Sequence, residues 1–293
     1  MYSSFNARAV GWNLSALETV ELAAAAGFDG VDLMVRDLVE AGVDRSALRD
    51  RMEELGLRGG AWPLPVDWKG DQAQFQADLR RLPERARAAA ELGLSRTGTW
   101  VLPCLPAAGP SADEALEWHV QRLGVIARIL ADHDIRLGLE VVGVESFRAE
   151  RGGPSFIHRL ADLDPLIDRL RAEHENVGVL VDAFHLYAAG EGVETALRWG
   201  VDRVVWVHIS DLPAGDSPDR SRIRDDRRGL PGEHGAVDCR GLLERLDAAG
   251  YDGPITAEPM AGCRSLLRLD TRTMARVLAR SFALIRPLRV RRA

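Results

Sequence analysis

Two residue types that can share chemistry stand three apart in the run Val177 to Tyr187. Asp182 closes an apolar, β-branched segment of strand length, and His185 follows it. A carboxylate and an imidazole at the end of a buried strand fit a site. They equally fit a helix whose N-cap is Asp182, with His185 on its first turn. Three other strand-like segments end in the same way. Leu137 to Glu140 ends in a carboxylate, Val205 to Asp211 carries His208, and Ile255 to Glu258 ends in a carboxylate. Each residue alone fits a bland role, His208 as a core histidine and Glu140 or Glu258 as strand-end charges reaching water. Together, three carboxylates and one imidazole from successive strands would converge on one point. Like charges in a dry pocket raise one another's pKa values, and one divalent cation holds all three ionised. The mixed oxygen and nitrogen set suits manganese first, with magnesium, cobalt and zinc as alternatives.

Such convergence needs parallel strands opening at one end. The chain reads as strand-then-helix units, with strands expected at Ala7–Trp12, Phe28–Val35, Leu57–Trp62, Ser95–Leu102, Ile135–Val142, Asn176–Val181, Arg203–Ile209 and Pro254–Glu258. The intervening segments are helical by periodicity and by cap signals. Ser15 with Glu18 is a capping box, and Gly27 and Gly93 are stops. Pro83 lies inside a long helix as an expected kink. Eight such units predict an α/β chain folded as a single (β/α)8 TIM barrel, one domain over residues 1–293. An open doubly wound sheet is disfavoured because no G-x-G-x-x-G follows the first strand. Residues 213–228 form a charged stretch that reads as a solvated loop or lid. The arginines at 286, 289, 291 and 292 read as a surface tail.

Composition narrows the class. The formal net charge is -6, which argues against phosphate-backbone binding and hence against nucleic acid. No apolar run is long enough to span a membrane. The first ten residues lack a secretory pattern. Cys104, Cys239 and Cys263 have no zinc or disulfide spacing, which points to a reduced, cytoplasmic setting. Lys69 is the only lysine and lies in a Pro/Trp/Gly-rich loop, a poor place for Schiff-base chemistry.

Glu140, Asp182-x-x-His185, His208-x-x-Asp211, Arg228-x-x-Pro231-Gly232 and Glu258-Pro259 resemble the xylose-isomerase-like sugar isomerase/epimerase superfamily. The likeness is greatest to its ketose 3-epimerase, hydroxypyruvate isomerase and inosose-processing branch. The resemblance implies that Glu140, Asp182, His208 and Glu258 are metal ligands, and that His185 and Arg228 contact a small sugar or cyclic polyol. It implies a divalent-metal-dependent isomerase or epimerase acting through an enediolate, with Glu140 and Glu258 moving the proton. A lyase sharing the site is the alternative, acting on an inosose, a dehydroshikimate-like ring or an oxidised C-glycoside. An abasic-site endonuclease, also known on this fold, would need more histidines and a basic groove. Trp12, Trp62 and Trp100, expected at strand ends, could wall a sugar ring or simply pack. Glu145, His234, Arg148 and Arg151 have no assigned role. Homo-oligomers are common among such barrels, with nothing here to select a stoichiometry.

Overall fold

Nine parallel strand segments follow one another around a sheet: β1 Tyr2–Phe5, β2 Gly30–Val31, β3 Arg58–Gly59, β4 Trp62–Pro63, β5 Arg96–Trp100, β6 Arg136–Glu140, β7 Val177–Asp182, β8 Val204–Ile209 and β9 Pro254–Ala257. The structure is a computed structural model and describes residues 1–285. β3 pairs with β2, and β4 pairs with β5. Only Gly60 and Ala61 separate β3 from β4, so one stretch of chain bonds to both neighbours and closes the ring. Counted this way there are eight strand positions, and the fold is an α/β TIM barrel, as expected. The break has a cause: the amides of Gly60 and Ala61 turn to Val31 O and to the Asp32 carboxylate, at 2.8 Å each.

The interior is filled by side chains. Ala61, Leu180 and Trp206 form their own buried cluster inside the ring. Room for Leu180 and Trp206 comes from Gly98 and Gly138, which pair in register across β5 and β6. A Cβ on Gly98 would come within 2.6 Å of Leu180, so a side chain there would push out the barrel's filling.

The helices that cover the barrel are α1 Ala16–Ala26, α2 Val35–Glu40, α3 Arg45–Glu54, α4 Gln72–Glu91, α5 Ala112–Ala131, α6 Glu145–Arg151, α7 Asp164–Arg171, α8 Ala183–Ala189, α9 Cys239–Ala248 and α10 Thr271–Ile285. The Ser15/Glu18 capping box and the left-handed Gly27 stop are present on α1. Pro83 sits inside α4, which runs on as one helix through it. No described helix is long and apolar enough to cross a membrane. The three cysteines are buried and unpaired. The arginine tail lies outside the described residues.

Four expectations are corrected. The first strand is Tyr2–Phe5, not Ala7–Trp12, which instead forms a 3-10 turn over Arg8–Val10 closed by left-handed Gly11. The Asn6 side chain accepts the Arg8 and Ala9 amides and so ends the strand. Val35 opens α2 rather than closing β2. Glu191–Trp199, one of the intervening segments expected to be helical, forms only a short 3-10 turn, Val193–Leu197. Helix α6 occupies a stretch with no helix expectation.

Candidate metal centre

Glu140 is the last residue of β6 and Asp182 the last of β7; His208 is next to last in β8, and Glu258 follows β9 directly. All four lie at the C-terminal mouth. Register explains why they meet. Asp182 pairs with His208, and His208 pairs with Thr256, so these three point the same way. Glu258 is two residues past Thr256 and shares its face by the period of two. One ligand atom from each of Glu140, Asp182, His208 and Glu258 lies within 4.8 Å of the others. His208 Nδ1 is 3.3 Å from Glu258 Oε2 and 3.6 Å from Glu140 Oε1.

The donor set fits a divalent cation. His208 Nε2 is buried without a partner, and His208 Nδ1 and Glu140 Oε1 meet only at ion-pair distance, outside hydrogen-bonding geometry. Buried polar atoms are rarely left so, and a shared cation would satisfy His208 and Glu140 together. The electrostatics agree. Burial raises the Glu140 carboxyl above its ordinary value. Burial also opposes charge on His208, yet Glu258 and Glu140 hold the ring well above the usual histidine range. The carboxylates around the ring thus favour positive charge at this position.

Asp182 holds two posts. Its Oδ1 accepts the Phe184 amide at 2.8 Å and caps α8, and its Oδ2 accepts from Arg228 Nη1 at 2.7 Å. The N-cap reading and the site reading are both present in one side chain. Against burial, Arg228 and the two histidines hold its carboxyl well below the ordinary range. Arg228 itself is 1% exposed and has no idle donor group. It reaches Asp182, Glu258 Oε2 at 3.1 Å, Ser210, the Asp225 carboxylate at 2.6 Å and the Asp225 carbonyl. Its Nη2 also meets His185 Nε2 at 3.1 Å. A guanidinium only donates, so Nε2 accepts and the ring hydrogen belongs on Nδ1. That buried Nδ1 has no partner.

The tryptophans separate. Trp100 pairs in register with Glu140 and stands at the site. Trp62 does not: it is fully buried in the layer between barrel and helices, and its Nε1 donates to Leu94 O at 3.1 Å. Trp12 lines a cleft of about 300 Å³ with Asn6, Asp32 and Met34, at the ends of β1 and β2. Of the three tryptophans expected together, only Trp100 stands beside Glu140; Trp62 is buried away from the mouth and Trp12 lines a separate cleft. Glu145 is exposed at the start of α6. The amide of His234 donates to Asp211 Oδ2, and its Nε2 meets Asp216 O. Residues 213–228 pack against α6 and α8 through Ser146 Oγ to Ile223 O and Tyr187 Oη to Pro218 O.

Two residues that the sequence reading names without assigning them a role hold central positions. Asp211 accepts the amides of Leu212, His234, Gly235 and Val237, pinning the turn after Arg228. Lys69 brings its ammonium to Trp100 O at 3.1 Å, beside Glu140's partner. Nothing in its local sequence signals this, because the loop carrying it lies far along the chain from β6.

With this geometry, similarity to known proteins becomes informative. Two curated 3-dehydroshikimate dehydratases resemble the chain, from Pseudomonas putida (28% identity over 89% of this chain) and Pseudomonas aeruginosa (27% over 87%). The chain spans 40% of the length of each. A xylose isomerase domain protein from Alicyclobacillus acidocaldarius superposes with TM-score 0.82 at 27% identity, covering 97% of both chains. The IolI protein with a bound zinc superposes with TM-score 0.78 at 17% identity, covering 97% of this chain and 98% of its own. Residues 20–280 match the family model for xylose isomerase-like TIM barrels. The chain belongs to the xylose isomerase-like TIM barrel family.

Proposed function

We propose that the chain removes a proton from the carbon beside a carbonyl in a small hydroxylated substrate, a sugar or cyclic polyol ketone, and expels a β-hydroxyl. The observation that carries this is the unequal state of the two glutamates. Among the described residues no arginine or lysine pairs with Glu140, while Glu258 is tied to Arg228 at 3.1 Å. With both glutamates on the ion, Glu140 would be the less encumbered of the two and so the one to move a proton.

Glu140, Asp182, His208 and Glu258 would hold the divalent ion. Their mixed donors favour manganese, and zinc is supported by its presence in the IolI protein. When bound, it supplies Lewis-acid polarisation of the carbonyl. Glu140 takes the carbon-bound proton, and that electron pair becomes the new C=C bond as the β C–O bond breaks. The same carboxyl then gives its proton to the departing hydroxide, so an enone and water leave and Glu140 is restored. His185 offers its Nδ1 hydrogen to a substrate oxygen, because Arg228 occupies Nε2. The dehydratase relatives support this outcome.

A second reading, an isomerase or epimerase, has its own observation. Glu258 and Glu140 come from the ends of β9 and β6, three strands apart, and both reach His208 Nδ1. If Glu258 exchanged Arg228 for a substrate proton, return on the opposite face would invert the carbon. Incubating metal-loaded protein in deuterated water with 3-dehydroshikimate, inosose and ketoses separates the two. The dehydratase reading expects a rising enone absorbance; deuterium in recovered ketose without enone would reverse the preference.

A further inference from the structure

The chain's single lysine is placed where a surface lysine would not be. Lys69 is half-buried, with its ammonium 4.0 Å from the Trp100 ring centre and 4.6 Å from that of Trp68. Two neutral acceptors hold it: Thr99 Oγ1 at 3.3 Å and Trp100 O at 3.1 Å. An ammonium carries three hydrogens, so one donor is left. Thr99 Oγ1 is already taken by Trp68 Nε1 at 3.0 Å, which makes the lysine's hold there a shared one. Among the described residues Lys69 makes no ion pair, although the chain's arginines make many. The carboxylates of Asp67 and Glu140 act on its charge without pairing with it, so the remaining donor has no anion in contact.

The charge around it supports the same conclusion. Glu140, Asp182, Glu258 and Asp225 set four carboxylates at the mouth against the single guanidinium of Arg228. An anionic substrate would meet repulsion there unless another cation stood at the rim. Lys69 stands on Trp100, the register partner of Glu140.

We propose that Lys69 is a specificity residue that recognises a carboxylate on the substrate, so that the preferred substrate is a carboxylated hydroxy-ketone rather than a neutral one. This rests on the proposed function above and names the substrate class of the same site. Trp68 and Trp100 hold the ammonium between them, and the free N–H meets the incoming carboxylate.

The test is calorimetric titration of the Mn²⁺-loaded full chain with 3-dehydroshikimate, which bears a carboxylate, and with inosose, which bears none. Lys69→Met keeps the stem between the two indoles, Lys69→Arg keeps the charge, and thermal melting confirms folding, with Lys69→Gln as substitute should the Met variant fail to fold. The expected result is about a tenfold or greater loss of 3-dehydroshikimate affinity in Lys69→Met, restored in large part by Lys69→Arg, with inosose changed by less than about twofold. Equal loss for both ligands, no loss for the carboxylate, or a wild type that does not bind the carboxylate would each overturn the proposal. Titration of stripped wild type with Mn²⁺ alone keeps the two levels apart. Failure there overturns the metal reading, whereas Mn²⁺ binding without charge discrimination overturns only the role of Lys69.

Discussion

Arg228 and Asp182 are joined at 2.7 Å with both side chains almost wholly out of water, 1% and 0% exposed. The pair ties the loop after β8 to the end of β7, and so couples a loop's conformation to a strand-end carboxylate. Replacing a buried partner leaves a charge uncompensated, which costs more than the pair contributes. Arg228→Met should therefore lower the unfolding free energy of metal-free protein by about 3–5 kcal/mol. Adding Mn²⁺ should recover part of it, since a cation beside Asp182 replaces the lost charge. Urea unfolding with and without Mn²⁺ measures both; a Mn²⁺-independent loss would mean that Asp182 does not face the ion.

Glu140→Gln and Glu258→Gln should differ. Removing the group that moves the proton lowers turnover by about 10²–10⁴-fold. Glu140→Gln should show this loss in single-turnover enone formation. Both variants should weaken Mn²⁺ affinity, since both carboxylates belong to the ligand set, but only Glu258→Gln, which also releases Arg228, should recover turnover as Mn²⁺ is raised. Identical behaviour of the two variants would remove the asymmetry on which elimination is preferred.

Acid stability should depend on His119. It is fully buried on α5, its Nδ1 donating to Ala115 O at 2.7 Å, and burial lowers its pKa to about 4. The unfolded chain protonates this ring near the ordinary value while the native state leaves it neutral. Its share of stability is thus intact above pH 6.5 and is lost as pH falls from 6.5 through 4. The loss is roughly 3 kcal/mol at the acid end. His119→Phe should flatten the stability curve in that window relative to wild type, as read by urea midpoints at stepped pH; parallel curves would contradict it.

Asp211 should matter for the loop without touching the chemistry. Its carboxylate accepts four backbone amides. A stranded buried donor costs about 1–3 kcal/mol, so Asp211→Ala should lose 3 kcal/mol or more. The 213–228 segment, bridged to Asp211 through Gly229, should become the first site of proteolysis. Unchanged cleavage kinetics would show that the segment is held by α6 and α8 instead.

The ligand set was legible because each member ends an apolar run, and the barrel forces such ends together. The strands with polar sequences were less legible. β1 reads Tyr-Ser-Ser-Phe, and its buried serines are satisfied by acids distant in sequence: Ser3 Oγ donates to Asp29 and Ser4 Oγ to Asp32. Hydrophobic periodicity carries no trace of such bonds, so the first strand was sought six residues too late. Trp62 was misplaced for a related reason. A split strand changes which face a side chain takes, and the split depends on Asp32 capturing the Ala61 amide. Lys69 reaches the site through a loop, where position along the chain says little about position in space.

The most direct measurement is calorimetric titration of chelator-stripped protein with Mn²⁺, in wild type and in His208→Ala. The account predicts one ion bound per chain in wild type and its loss in the variant, with both proteins folded by circular dichroism. Wild type that binds no divalent ion, or a variant that binds as tightly as wild type, would contradict it.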